Sequence, residues 1–344
     1  MKTGLIIKAM LVTGLATGNA YAQEALLLTN YTFSDQSRTI GNVVPAGPGT
    51  QLSKVKLTGP SAKFFSLNDQ NQLQFRKAPA GADTWYDVGL EWRTPAGKKS
   101  QTFRVVKDQF IHNKVIAHRG AWKHTGAAQN SIGSLQHAIK LGCMGSEFDV
   151  HMSADSVLFV NHDPAYQGTF IEKTAASALT QIKLSNGEPM PTVIAYLQEG
   201  MKQNRTRLIL EIKTSIISKE RSLALAQKVV ELVRQQKAQA WVEYIAFDYD
   251  VCKKVKSLDP YAKVAYLNGD KAPELLAQDG LDGLDYNHTV LKKNENWLAE
   301  ARQKQLSTNV WTVNDPAAMD WFLAQQVDFI TTDEPEALLG KATN

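Results

Sequence analysis

From Val115 onward, short apolar β-runs alternate with stretches of helical periodicity, and this alternation constrains the fold more than any other feature. The β-runs fall at Val115–His118, Ser146–His151, Leu208–Ile212, Tyr244–Phe247, Val264–Leu267, Gly283–Tyr286, Asn309–Val313 and Phe329–Thr331. Helix-like stretches separate them, at about 130–141, 191–203, 219–236, 249–258, 272–279, 294–304 and 316–325. A strand followed by a helix returns to a parallel neighbour, so eight such units predict an α/β protein with a (β/α)8 (TIM) barrel. A further β-run, Val157–His162, follows the second strand too closely for a crossover helix. It reads as an antiparallel return, and with Pro164–Glu188 it forms a short insertion over the barrel mouth.

The ends of these runs carry the second signal. The runs VIAHR, SEFDVH and LILEIK finish in titratable groups, where an ordinary turn would begin at once with Gly, Asn or Ser. Ligands of such sheets bind at the carboxyl ends of the strands. His118, Arg119, Glu147, Asp149, His162, Glu211 and Lys213 are therefore expected on one rim. Strand side chains alternate, so Glu147 and Asp149 share a face, as do Glu211 and Lys213. Three clustered carboxylates are costly to desolvate unless a cation compensates, and their oxygens suit one hard divalent ion, Ca²⁺ or Mg²⁺. The alternative is a structural ion-pair network with Arg119 and Lys213.

The ordered set of HRG, a QN-S step, E-x-D-V, a hairpin ending N-H-D and E-x-K resembles the glycerophosphodiester phosphodiesterase family over residues of about 115–335. That resemblance implies a barrel of the phosphatidylinositol-phospholipase-C-like type. It also implies metal-dependent hydrolysis of a glycerophosphodiester, a product of lipid breakdown, to glycerol 3-phosphate and an alcohol. Glu147, Asp149 and Glu211 would be metal ligands. His118 and His162 would form the acid–base pair, and Arg119 and Lys213 would hold phosphate. Trp311, in NVWTVND, would line the alcohol side, with packing in the core as the other reading. Attack by water and attack by the neighbouring glycerol hydroxyl both remain open. One departure stands out: where the family has P-E-N-T, this chain has Ala128-Gln129-Asn130-Ser131, one carboxylate fewer near the metal or near Arg119. Asp163 is expected either to orient His162 or to cap the next turn, and Asp333 to cap the helix starting near Pro335. His288 is read as incidental, and His112, His137 and His151 as structural or surface.

Residues 1–22 read as a signal peptide: Lys2, an apolar stretch to Gly18, and Ala20-Tyr21-Ala22 as a small-x-small cleavage site. An exported protein, periplasmic or secreted, is expected. Removing Lys2 and Lys8 lowers the net charge from +4 to +2, so nothing in the charge argues for a nucleic-acid or anionic-membrane partner. Cys143 and Cys252 are expected as separate buried thiols. Residues 24–108 carry short β-runs broken by turn residues, including Trp85–Arg93 with Tyr86, Val88, Leu90 and Trp92 on one face. They predict a small antiparallel sandwich, loosely resembling a cadherin-like or immunoglobulin-like repeat, ahead of a barrel domain at 113–341. Its partner is not specified by the sequence. Two other readings compete: a phospholipase-like enzyme on a lipid phosphodiester, disfavoured by the lack of an apolar run to rest on a membrane, and a non-catalytic binding or adhesion protein.

Overall fold

The computed structural model describes residues 25–47, 53–79, 83–95 and 97–342; the expected signal peptide lies outside them. The amino-terminal part forms two four-stranded sheets. Its strands are β1 (Leu26–Leu28), β2 (Thr32–Phe33), β3 (Thr39–Pro45), β4 (Ser53–Thr58), β5 (Phe65–Leu67), β6 (Gln72–Phe75), β7 (Trp85–Thr94) and β8 (Gly97–Lys107). One sheet has the order β1-β3-β6-β5 and the other β2-β8-β7-β4. Tyr86, Val88, Leu90 and Trp92 are buried, as the alternation in β7 requires. Phe75 meets Phe33 and Tyr86 across the two sheets, with ring centroids 5.0 and 5.7 Å apart. The sandwich is not wholly antiparallel: β2 runs parallel to β8. Strands β1 to β3 lie in a stretch whose short runs show no clear alternation, and Lys63–Phe64 belong to a 3₁₀ turn rather than a strand.

The remainder is the barrel. Its strands are β9 (Val115–Ala117), β10 (Gly145–Met152), β14 (Arg207–Ile212), β15 (Val242–Ala246), β16 (Val264–Tyr266), β17 (Gly283–Asn287), β18 (Ser307–Trp311) and β19 (Phe329–Thr332). All eight pair in parallel, and β19 and β10 both pair with β9, closing the ring. Three short strands form the insertion: β11 (Leu158–Val160), antiparallel to β10, and the hairpin β12 (Ala165–Tyr166) and β13 (Thr169–Phe170). The insertion has its own small core of Phe159, Ile171, Leu179, Leu184 and Met190. Helices Lys219–Gln236 and Tyr249–Leu258 occupy the predicted ranges, capped by Ser218 and Asp248. The helix His288–Lys293 was not anticipated, because its sequence HTVLKK is shorter than two turns. Cys143 and Cys252 are free and buried.

The sandwich sits at the amino ends of the strands. Lys237 Nζ, after a barrel helix, lies 2.6 Å from Asp87 Oδ2 of β7, and Asn204 Nδ2 donates to Lys107 O at 2.8 Å. Thr29–Thr32 share a cavity of about 190 Å³ with Arg207, Val242 and Lys263 at the base of the barrel. The carboxyl rim is thus free of the sandwich.

Candidate active site

The rim begins with a bend. His118 N donates to Thr332 O at 2.9 Å, and the chain then turns through left-handed backbone at Arg119 (φ 56°) and Gly120 (φ 78°). An arginine in that region is strained, and such strain persists where the surroundings over-determine it. Here Arg119 N donates to Glu147 Oε2 at 2.8 Å, and Arg119 O accepts from Asn130 N and Ser134 Oγ. A Cβ at position 120 would stand 2.4 Å from Ser134 Oγ, so only glycine fits.

Glu147, Asp149 and Glu211 converge as the alternation requires. All three are buried, and one oxygen of each lies within 4.8 Å of the others. Lys213 Nζ sits 3.1 Å from Asp149 Oδ1 and 2.7 Å from Glu211 Oε1. Asn130, itself left-handed, donates through Nδ2 to Asp149 Oδ2 at 2.8 Å and accepts from Asp149 N. Glu147 Oε1 is buried with no hydrogen-bond donor, whereas Glu211 Oε1 has Lys213 as its one close partner. The charge state follows. Asp149 is buried, yet Lys213, His162 and Asn130 bring its carboxyl down to about 2. Burial and then the Asp149 charge push Glu211 up to about 7, and burial with both neighbouring acids raises Glu147 well above its ordinary range. One orphaned oxygen, Glu147 Oε1, and two acids reluctant to ionise are what a cluster of oxygen donors shows without its counter-ion. The residues fit a hard divalent cation better than a self-contained ion-pair network.

The two histidines flank this cluster, each with Nδ1 on a carboxylate. His162 Nδ1 lies 2.8 Å from Asp163 Oδ1, the orienting contact of the two roles expected for Asp163. Burial, then Lys213 and Arg119, lower the His162 pKa, so its ring is uncharged near neutral pH. His118 Nδ1 lies 2.7 Å from Asp333 Oδ1. This corrects the reading of Asp333 as a helix cap: its side chain turns into the rim, and Thr332 Oγ1 accepts from Glu334 N instead. Sequence offered a weak signal for this role, an acid at the end of the last strand. It gave none for Asn314, whose Nδ2 donates to Asp333 Oδ2 at 2.7 Å while its Oδ1 accepts from Asp333 N.

Gln129 accepts from Arg119 Nη1 at 2.6 Å, so the missing carboxylate is missing from Arg119, and Gln129 makes no bond to the acid cluster. Trp311 ends β18 half-buried against the apolar cluster of Ile116, Ile209, Ile245 and Leu267, its Nε1 donating to Asp285 O at 2.9 Å and its ring edge-on to Phe247. His151 is buried beneath the site and bonds His162 O, a structural role. His288 begins a helix, and His124 pairs with Glu334 at 2.6 Å outside the acid cluster.

A closed (β/α)8 barrel whose carboxyl rim gathers a buried acid cluster, two cations and two carboxylate-backed imidazoles defines a barrel enzyme equipped for acid–base work on an anionic substrate. Residues 118–337 match the glycerophosphoryl diester phosphodiesterase family. The chain belongs to that family. It is 42% identical to a glycerophosphodiester phosphodiesterase from Parabacteroides distasonis of known crystal structure, over 68% of this chain and 98% of that one, with a TM-score of 0.66. It is 25% identical over 249 residues to the glycerophosphodiester phosphodiesterase of Caldanaerobacter subterraneus subsp. tengcongensis, covering 65% of this chain and 96% of that protein. An Oleispira antarctica phosphodiesterase solved with the product sn-glycerol-3-phosphate shares the barrel, at 22% identity and a TM-score of 0.57 over 67% of this chain and 97% of that one.

Proposed function

We propose that the chain is an exported, metal-dependent glycerophosphodiester phosphodiesterase that releases glycerol 3-phosphate and an alcohol by histidine acid–base catalysis. The observation that carries this reading is the buried acid cluster set between Lys213, Arg119 and two imidazoles anchored through Nδ1. Glu147, Asp149 and Glu211 would hold one Ca²⁺ or Mg²⁺, which when bound supplies charge neutralisation at a phosphoryl oxygen. Lys213 fixes Asp149 and Glu211 in place, and Arg119 offers its guanidinium to the phosphate. An ionised Asp333 can only accept, so the His118 proton is held on Nδ1 and Nε2 faces the reaction. Asp163 does the same for His162. His162, uncharged near neutral pH, is suited to take the proton of the attacking hydroxyl or water. His118, backed by the Asp333 carboxylate, is suited to deliver one to the leaving alkoxide. The amino-terminal sandwich, docked on the far end of the barrel, is read as a cadherin-like or immunoglobulin-like interaction module that takes no part in the chemistry.

The test is incubation with glycerophosphocholine and glycerophosphoinositol, with and without chelator. Release of glycerol 3-phosphate that chelator abolishes and cation restores is expected. His118→Ala and His162→Ala should each cut kcat by about 10²–10⁴-fold without unfolding the protein. Full turnover in both variants removes the acid–base assignment.

A further inference from the structure

A further buried acid lies outside the catalytic cluster. Glu172 is 2% exposed and sits in a 3₁₀ turn of the insertion, Ile171–Lys173. Its neighbour Ile171 packs in the insertion's apolar core, which holds the turn from one side. Glu172 Oε2 accepts from Ser215 Oγ at 2.7 Å, while Arg221 Nε stands 3.8 Å from the same oxygen, too far for a hydrogen bond. Glu172 Oε1 and Arg221 Nε are both buried without a hydrogen-bond partner. Arg221 points its Nη2 elsewhere, donating at 2.6 Å to Ser153 O just past β10. A buried ion pair this loosely satisfied is a poor source of stability, and apolar residues of like volume often do as well or better in such a place. Its bond to Ser215 points to another use.

Strand β14 ends at Ile212, and Lys213 to Ser218 belong to neither strand nor helix. The backbone of Lys213 keeps one bond to β10, from its N to Val150 O at 3.2 Å. A lysine ammonium rides on a long flexible stem, yet Lys213 Nζ lies 3.1 Å from Asp149 Oδ1 and 2.7 Å from Glu211 Oε1. The irregular segment is pinned just beyond it, at Ser215. Ser215 N donates to Ser222 Oγ at 2.9 Å, Ile217 N donates to Ser215 Oγ at 3.1 Å, and Ser215 Oγ donates to Glu172. Ser222 lies on the helix that follows, so the bond to Glu172 is what ties this bend to the insertion.

We infer that Glu172 is a positioning residue of the acid cluster: through Ser215 it fixes the bend after β14 and so sets Lys213 against Asp149 and Glu211. The inference rests on the phosphodiesterase reading and adds a residue to that site. Residues that orient the ligands of a metal-binding cluster are commonly worth about 10–100-fold in affinity or activity. A loosened bend lets Lys213 drift from the two acids. That is felt where charge develops in the reaction rather than where substrate is first held, so kcat takes the loss.

The test measures kcat and KM for glycerophosphocholine in millimolar Ca²⁺ or Mg²⁺, with the melting temperature, for the full chain and for Glu172→Ala, Glu172→Gln and Ser215→Ala. Well below its melting point, Glu172→Ala should lose about 10-fold in kcat with KM within about twofold. Glu172→Gln, whose amide oxygen still accepts from Ser215 Oγ, should recover most of that loss. Ser215→Ala should reproduce it, and the double variant of Glu172→Ala with Ser215→Ala should lose no more than either alone. A folded Glu172→Ala protein with a lower melting temperature and full kcat overturns the inference, because the acid is then structural alone. So does a Glu172→Gln variant as slow as Glu172→Ala, and so do losses that multiply in the double variant. Should Glu172→Ala fail to fold, Ser215→Ala, which removes a single hydroxyl, decides the matter, and full kcat there overturns the inference. A full chain that cleaves glycerophosphocholine with neither cation removes the inference together with the phosphodiesterase reading. An active full chain leaves that reading standing whatever the variants do.

Discussion

His118 and Asp333 stand 215 residues apart in the chain and 2.7 Å apart at the rim, with the imidazole Nδ1 on a carboxylate oxygen. Asp333 is doubly held: Asn314 donates to its second oxygen and accepts from its backbone N–H. Although burial opposes ionisation, the bond from His118 keeps the Asp333 carboxyl below its usual range. The pair fixes both the tautomer and the direction of His118.

Asp333→Asn should therefore lower kcat by about 10²-fold or more with little change in KM, because the amide can present its N–H to Nδ1 and invert the tautomer. Asn314→Ala should give a smaller loss of the same kind. The check is the kcat and KM split together with the ¹⁵N chemical shifts of His118. Unchanged shifts and unchanged kcat in Asp333→Asn would remove the positioning role.

The acid cluster predicts a pH-dependent stability that a cation abolishes. Glu211 rises from an ordinary 4.5 to about 7 in the folded state, so in metal-free protein it favours folding only while protonated. Its contribution is complete below about pH 4.5 and is lost as pH climbs through about 7. Melting temperatures in chelator should fall across that window, and millimolar Ca²⁺ or Mg²⁺ should restore them. Glu211→Gln should flatten the slope. A slope indifferent to both cation and variant would speak against a metal site.

Gln129→Glu would place a carboxylate on Arg119 Nη1, where the present partner is a neutral oxygen 2.6 Å away. The new charge competes with substrate phosphate for the guanidinium. KM should rise several-fold, on the scale of about 1 kcal/mol for a partly exposed pair, with kcat nearly constant. Steady-state kinetics decide it; a fall in KM would show that the carboxylate helps rather than competes.

Gly120→Ala should cost about 3 kcal/mol and most of the activity. Its φ of 78° and the 2.4 Å approach to Ser134 Oγ leave no room for a Cβ without moving Arg119 off Glu147. Thermal unfolding and turnover, measured together, test it; an active protein of unchanged stability would show that the bend is adaptable.

Much of this was legible in the residues alone. The period-two alternation in SEFDVH and LILEIK places Glu147 with Asp149 and Glu211 with Lys213 on one face of their strands. The caps Ser218 and Asp248 marked where helices begin. Local chemistry sets such features, because side-chain direction and capping depend on a few neighbouring residues. Strands β1 to β3, whose alternation is weak, and the short helix at His288 left no comparable mark.

What no local pattern could supply are the contacts between distant segments. Asp333 reads as a cap because a cap needs only its own neighbours, while its partner His118 follows the first strand of the barrel, brought near when β19 pairs with β9. Gln129 was ambiguous until the left-handed turn at Arg119 put the guanidinium on it. Glu172 and Ser215 belong to two loops brought side by side where β14 pairs with β10. The alternation in the chain determined that a barrel would form and which residues would reach its rim. Closure of that barrel decided which of them touch, since hydrogen bonds between strands, rather than sequence neighbours, set those distances.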